Sequence, residues 1–161
     1  MKSTLYLLKN TPEDVWAISV GDPWARERLT SLTPDTLDRL SRFQVLIAYS
    51  DQLHQFVQRV PSLAWELLEY AQEPLEIIYP ERKSTVGDDL DAPSICVRWV
   101  QHPKVSAFLK KTGPVWSTHT LLHDAKHCPP HSVIECYERK YPYSAVKTIR
   151  IAADSTFTFL R

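Results

Sequence analysis

Apolar positions fall in short runs whose period changes along the chain. Thr4 to Leu8 (TLYLL), Gln44 to Tyr49 (QVLIAY) and Leu75 to Tyr79 (LEIIY) are compact and apolar, of strand length. Ser94 to Val100 (SICVRWV) alternates and predicts another strand, and Val115 to Thr118 a short one that gives way to a loop near His119. Helical spacing appears at Trp24 to Leu32, with Leu29 and Leu32 three apart. After Ser50-Asp51, which reads as an N-cap, Leu53, Phe56, Val57 and Val60 follow at helical spacing. Pro61 suits a first helical residue, with Ala64, Leu67, Leu68 and Ala71 as one stripe. Pro103 opens a helix carrying Val105, Phe108 and Leu109. Three closing segments, Val133 to Tyr137, Ala145 to Ile151 and Thr156 to Leu160, are rich in β-branched and aromatic residues. Strands alternate with helices and then cluster, which predicts an α/β fold: one domain, residues 1–161, around a mixed parallel and antiparallel sheet with flanking helices.

Composition fits that size. The chain has 161 residues, of which 43% are hydrophobic, enough for an ordinary core without staples. Its apolar runs fall far short of the roughly 20 residues a membrane span needs. No basic-then-apolar leader stands at the start, and the three cysteines form no paired framework. The expectation is a protein of the reducing cytoplasm with no membrane partner. Net charge is zero but unevenly spread. Met1 to Cys96 carries 9 Lys+Arg against 15 Asp+Glu, and Val97 to Arg161 carries 10 against 4, with five of the six histidines. A basic half suits an anionic partner, while interleaving of the halves in one fold would average the charge.

Several segments, in order, resemble the YrdC family, the threonylcarbamoyl-AMP synthases of tRNA modification. Val60 to Lys83 (VPSLAWELLEYAQEPLEIIYPERK) is similar to that family's acidic helix and the strand ending in Tyr-Pro. Ser94 to Pro103 (SICVRWVQHP) resembles its Gly-Ile-Arg strand, with Arg98 in the arginine position. Gly113 to Thr120 (GPVWSTHT) resembles the strand ending in Ser-Thr-Ser-Ala-Asn, and YSAVKTIRI with FTFLR the closing hairpin. Asp14 to Leu29 resembles the segment after the family's Pro-Thr-Asp-Thr. The resemblance covers nearly the whole chain and implies a YrdC-like domain. It also implies a substrate or nucleotide pocket at Arg98, Ser117, Thr118, His119 and Ser144.

The family's reaction joins threonine, bicarbonate and ATP, and needs cations beside phosphate and hydroxyl or amide groups to orient the nucleotide. Here Thr11-Pro12-Glu13-Asp14 stands for Pro-Thr-Asp-Thr, which puts two carboxylates where threonine's own would come. Leu32 to Asp35 reads Leu-Thr-Pro-Asp where the family has its Lys-Arg clamp, and Arg39 and Arg42 lie downstream. His119 and Leu121 replace the second serine and the asparagine, and Ala145 a hydroxyl. Only three glycines remain for close approach to phosphate. The fold segments look intact while the substrate motifs are altered together. The resemblance therefore implies a divergent member that binds a nucleotide or RNA (tRNA or a duplex), or a protein partner, without efficient synthesis. The alternative is a working synthase in which His119 replaces a hydroxyl as donor; no cofactor is assigned, and ATP and Mg are the candidates on that alternative.

Other chemistry competes. In PVWSTHTLLHDAKHCPPH, His119, His123 and His127 recur every four residues, with Cys128 and His131 next. On a helix they would share a face and could hold zinc. No Glu follows the first histidine, the strand before it breaks the face, and Pro129-Pro130 stops a helix, so no metal is assigned. A Cys128–His127 nucleophile pair is disfavoured because neighbours in sequence rarely bring thiol and imidazole together. Gly87 to Asp91 (GDDLD) lacks the spaced ligands of a calcium loop. For RNA, the candidates are Arg82, Lys83, Arg98, Lys104, Lys110, Lys111, Lys126, Arg139, Lys140, Lys147 and Arg150, with Trp99, Trp116 and Tyr137 for stacking. Trp99 and Trp116 sit in strand-like runs and equally suit a core.

Overall fold

The computed structural model describes residues 4–9, 14–20, 43–71, 75–84, 93–121, 132–135 and 147–160; residues 4–9, 14–20, 119–121 and 132–135 are described by their backbone. Nine strands make one sheet: β1 (Thr4–Lys9), β2 (Asp14–Val20), β3 (Gln44–Ile47), β4 (Leu75–Tyr79), β5 (Ile95–Trp99), β6 (Val115–Leu121), β7 (Ser132–Glu135), β8 (Lys147–Ile151) and β9 (Phe157–Phe159). Their order is β7-β1-β2-β6-β3-β5-β4-β8-β9. The pairs β1–β7, β3–β5 and β4–β8 are parallel and the rest antiparallel, so the sheet is mixed as expected.

Among the described residues two α-helices flank it, α1 (Ser62–Tyr70) and α2 (Pro103–Thr112). Pro61 caps α1 rather than opening it, with ψ 145 and its carbonyl accepting from Ala64 N at 2.9 Å. Ala64 and Leu68, four apart, are the buried face of α1. In α2, Pro103 stands in the first turn, where its missing N–H costs nothing, and Lys110 and Lys111 stand in the last, where cations favour the helix dipole. Gly113 ends it at φ 80, a left-handed conformation suited to glycine, and its N–H donates to the Leu109 carbonyl.

The segment after Ser50 is not the α-helix that its spacing suggests. Ser50–Gln55 is a 3₁₀ helix. Gln52 Oε1 accepts from the backbone N–H groups of Ala48 and Tyr49 at 2.9 and 3.0 Å, which binds its first turn tightly. Val57 then leaves helical geometry to form a β-bridge with Arg82. Leu53, Phe56 and Val57 are buried all the same, so the apolar spacing records burial rather than helix. A second difference is β6, which runs through His119 to Leu121 instead of breaking off before it. Trp24 to Leu32 lies outside the described residues, as does most of the loop Glu81 to Pro93.

The hydrophobic core lies on one face of the sheet. Val45, Ile47, Ile77, Tyr79, Ile95, Val97, Trp116, Ile149 and Ile151 pack there against Leu53, Phe56, Val57, Ala64 and Leu68. Val105 and Leu109 of α2 are buried outside this cluster, and α2 lies against β3, so it covers part of the other face. Among the described residues no helix is long and apolar enough to cross a membrane.

Candidate functional site

The second face of the sheet is polar where a buried face is ordinarily apolar. Strand register aligns Val115, Leu46, Arg98, Glu76 and Thr148 in one row across β6, β3, β5, β4 and β8. The adjacent row is Ser117, Gln44, Cys96, Ile78 and Arg150. Gln44, Glu76, Ser117 and Thr148 are fully buried, and Arg98 is 5% exposed. Thr148 Oγ1 donates to Glu76 Oε2 at 3.2 Å, and Ser117 Oγ reaches the Gln44 carbonyl and Oε1 at 3.4 and 3.5 Å. Arg98 stands directly opposite Glu76, where unlike charges attract across strands. Burying a charge is costly unless it is paired or hydrogen-bonded, so this row is a constructed feature. Arg150 Nε is buried with no hydrogen-bond partner among the described residues.

Three of the altered motif positions, Asp14, His119 and Leu121, come together where β2 pairs with β6. The β2–β6 register sets Asp14 beside Leu121, Trp16 beside His119, Ala17 beside Thr118 and Ile18 beside Ser117. Ser117 in turn neighbours Gln44 at the start of β3. Segments far apart in sequence therefore share one location. His119 lies in a strand, not on a helix, so the four-residue histidine rhythm does not make a helical face at its first member. Ser144, Lys126, Arg139, Lys140, Tyr137, His123, His127, Cys128, His131 and Cys136 lie outside the described residues.

The basic candidates occupy separate places. Arg98 and Arg150 lie on the polar face, two strands apart. Arg82 forms the bridge with Val57 and Lys83 follows it, with Lys83 N donating to the Phe56 carbonyl. Lys104, Lys110 and Lys111 are exposed on α2, and Lys110 Nζ lies 5.3 Å from the centre of the Tyr49 ring. Lys147 is exposed at the start of β8. Of the aromatics, Trp116 is buried in the core, and Trp99 Nε1 donates to the Ala48 carbonyl at 3.0 Å. Burial pushes the Tyr79 phenol well above its ordinary range, and the nearby Cys96 thiol adds to this. Cys96 is itself buried and reads as a core thiol.

The chemistry available is anion recognition. A guanidinium offers planar paired donors to phosphate or carboxylate, and Gln44 and Ser117 add neutral polar groups nearby. The described part of this face holds one carboxylate, Glu76, and no group of three or more metal-ligating side chains occurs among the described residues. Sequence reading missed Gln44, Glu76 and Thr148. The signal was a polar residue in each strand segment, at Gln44, Glu76 and Thr148.

No family model and no curated protein matches the sequence. Solved structures do match. P. abyssi Sua5 complexed with L-threonine aligns with TM-score 0.76 and 16% identity over 98% of this chain, and a doubly substituted P. abyssi Sua5 aligns equally well. Sua5 is a YrdC-family threonylcarbamoyl-AMP synthase, and this chain has its fold. The chain spans about half the length of those Sua5 chains, 49% and 50%. A hypothetical protein from Streptococcus mutans UA159 aligns with TM-score 0.54 at 11% identity, over 95% of this chain and 73% of that one.

Proposed function

We propose that the chain binds a nucleotide-class anion on the polar face of the sheet, around Arg98, Gln44 and Ser117, and that efficient threonylcarbamoyl-AMP synthesis has been lost. The buried arginine carries this reading. Arg98 is 5% exposed in the middle of a strand, on the face opposite the hydrophobic core. A guanidinium so placed suits a small enclosed anion better than the open backbone of a duplex. The fold likeness to Sua5, one example of which holds L-threonine, supports a ligand site in this architecture. Loss of the reaction is supported by the meeting of changed positions: an aspartate opens β2 at the register position beside Leu121, close to His119. An acid there disfavours an amino-acid carboxylate by like-charge repulsion.

Calorimetric titration with AMP, ADP and ATP tests the binding, and pyrophosphate release with threonine, bicarbonate and ATP tests the chemistry. Binding that Arg98→Met abolishes and Arg98→Lys weakens is the expected result. Failure of all three nucleotides overturns the nucleotide reading, and turnover matching a Sua5 synthase overturns the loss of activity. RNA binding is the second reading, favoured by the exposed Lys104, Lys110 and Lys111 on α2, which covers the same face. It would show as salt-dependent affinity for tRNA or a short duplex.

A further inference from the structure

The last strand, β9, closes one end of the sheet, and its outer side carries a pattern complementary to itself. Leu160 N donates to the Thr148 carbonyl and Ala152 N to the Thr156 carbonyl. In an antiparallel pair, residues facing the partner alternate with residues facing away. Thr156, Thr158 and Leu160 therefore turn their backbone groups toward β8, and Phe157 and Phe159 turn theirs outward. The side chains follow the other alternation. Phe157 pairs with Ile151 and Phe159 with Ile149, so both rings stand on the face that holds the core. They are 48% and 58% exposed, in T-shaped contact at 5.6 Å, and Leu160, next along the chain and on the opposite face, is 37% exposed. Three of the five exposed large hydrophobics among the described residues are thus consecutive or alternate on one edge strand.

Exposed edges are usually protected by lysine, proline or a bulge. Thr156 to Leu160 (TFTFL) contains no charge and no proline. The hairpin before it is well defined. Ser155 N donates to the Ala152 carbonyl, Ser155 has φ 67, and Asp154 Oδ1 accepts from the Thr156 amide and hydroxyl at 3.0 and 2.6 Å. Those two bonds hold the Asp154 carboxyl below its ordinary range.

We infer that β9 pairs with β9 of a second copy of this chain, antiparallel, about a two-fold axis through Thr158. In that register Phe157 of each copy meets Phe159 of the other as a hydrogen-bonded pair, using the outward N–H and C=O groups of both residues. Four phenylalanines then form one row continuous with the core face, and the two Thr158 residues meet on the opposite face. The sequence Phe-Thr-Phe reads the same in both directions, so a copy fits this edge without frustration. The surface is small. About half of two phenylalanine side chains and a third of a leucine amount to roughly 250 Å² of apolar area per copy, against roughly 800 Å² in a standard interface. The dimer is therefore reversible and forms only as concentration rises.

Sedimentation of the full chain from low to high micromolar concentration tests this, together with Thr158→Cys under mild oxidation. Residues facing each other at a non-hydrogen-bonded position come within disulfide reach. The expected result is a mass that doubles with concentration, a covalent dimer of Thr158→Cys, and loss of both in Phe159→Lys. The parent chain under the same oxidant controls for the native cysteines, and circular dichroism checks that the variants fold. A monomer at every concentration overturns the inference. So does a dimer that ignores Phe159→Lys and leaves Cys introduced at 158 uncrosslinked.

Discussion

Replacing Thr148 by valine tests the hydroxyl bond in the buried polar row. The two side chains have nearly the same shape, so packing is kept while the hydroxyl that donates to Glu76 Oε2 is lost. Neither residue has measurable exposure, so water does not replace the donor. A hydrogen bond to a charged group contributes roughly 1.5–3 kcal/mol. At 3.2 Å this one is longer than an optimal hydroxyl–carboxylate contact, which points to the low end, about 1.5 kcal/mol. For a chain of this size that lowers Tm by roughly 3–6 °C. Urea unfolding followed by circular dichroism should show a lower midpoint with an unchanged slope. Repeating the substitution in Glu76→Gln separates this bond from other effects of removing the hydroxyl. There the acceptor is neutral, and the cost should fall to about 0.5–1 kcal/mol. A Thr148→Val cost within about 0.5 kcal/mol of zero, or the same cost in both backgrounds, refutes the claim that this row supports the fold through polar pairing.

Other outcomes follow from single contacts. Trp99→Phe removes the Nε1 bond to the Ala48 carbonyl and should cost about 1 kcal/mol in a denaturant titration. Ser155→Gly should leave stability equal or higher, and Ser155→Val should lower it by about 1 kcal/mol or more in thermal melts, because φ 67 suits glycine and opposes a branched side chain. Tyr79 in the folded protein holds its proton above the value near 10 at which an unfolded tyrosine titrates. Its contribution is thus fully present below about pH 10 and is lost as pH rises beyond that; Tyr79→Phe should flatten the alkaline fall in stability. If RNA binds through α2, changing Lys104, Lys110 and Lys111 to glutamine should reduce the log–log salt slope by roughly 2–3, and an unchanged slope would place the contact elsewhere.

The fold was largely legible because its strands are short apolar runs bounded by breakers. LEIIY and SICVRWV became β4 and β5 within one residue at each end, and Pro103 opened α2 as its chemistry requires. Alternation separates the two faces of a strand but does not say whether the second face is covered. In SICVRWV the alternate positions separate two faces, yet both are buried, so Arg98 is enclosed rather than wet. One chain read along its length cannot show that Glu76 will lie opposite Arg98 and beside Thr148, since those neighbours come from different parts of the sequence. The 3₁₀ segment was missed for a related reason. The Val57–Arg82 bridge that ends it depends on a residue beyond the next helix and strand. Asp14 and Leu121 belong to two separate motif resemblances, and the β2–β6 register brings them together.

The order of the strands has a kinetic consequence. β1 and β2 pair locally, but the other edge of β2 is completed by β6, which lies in the second half of the chain. A lone two-stranded hairpin is marginal in water. During synthesis these first strands therefore wait, with an open edge, until Val115–Leu121 has left the ribosome. β4 likewise waits for β8 at its second edge. Pairings this distant in sequence slow folding and leave strands exposed to wrong partners. The nascent chain passes through a long window in which a chaperone, or a neighbouring copy, can reach β2 before β6 does.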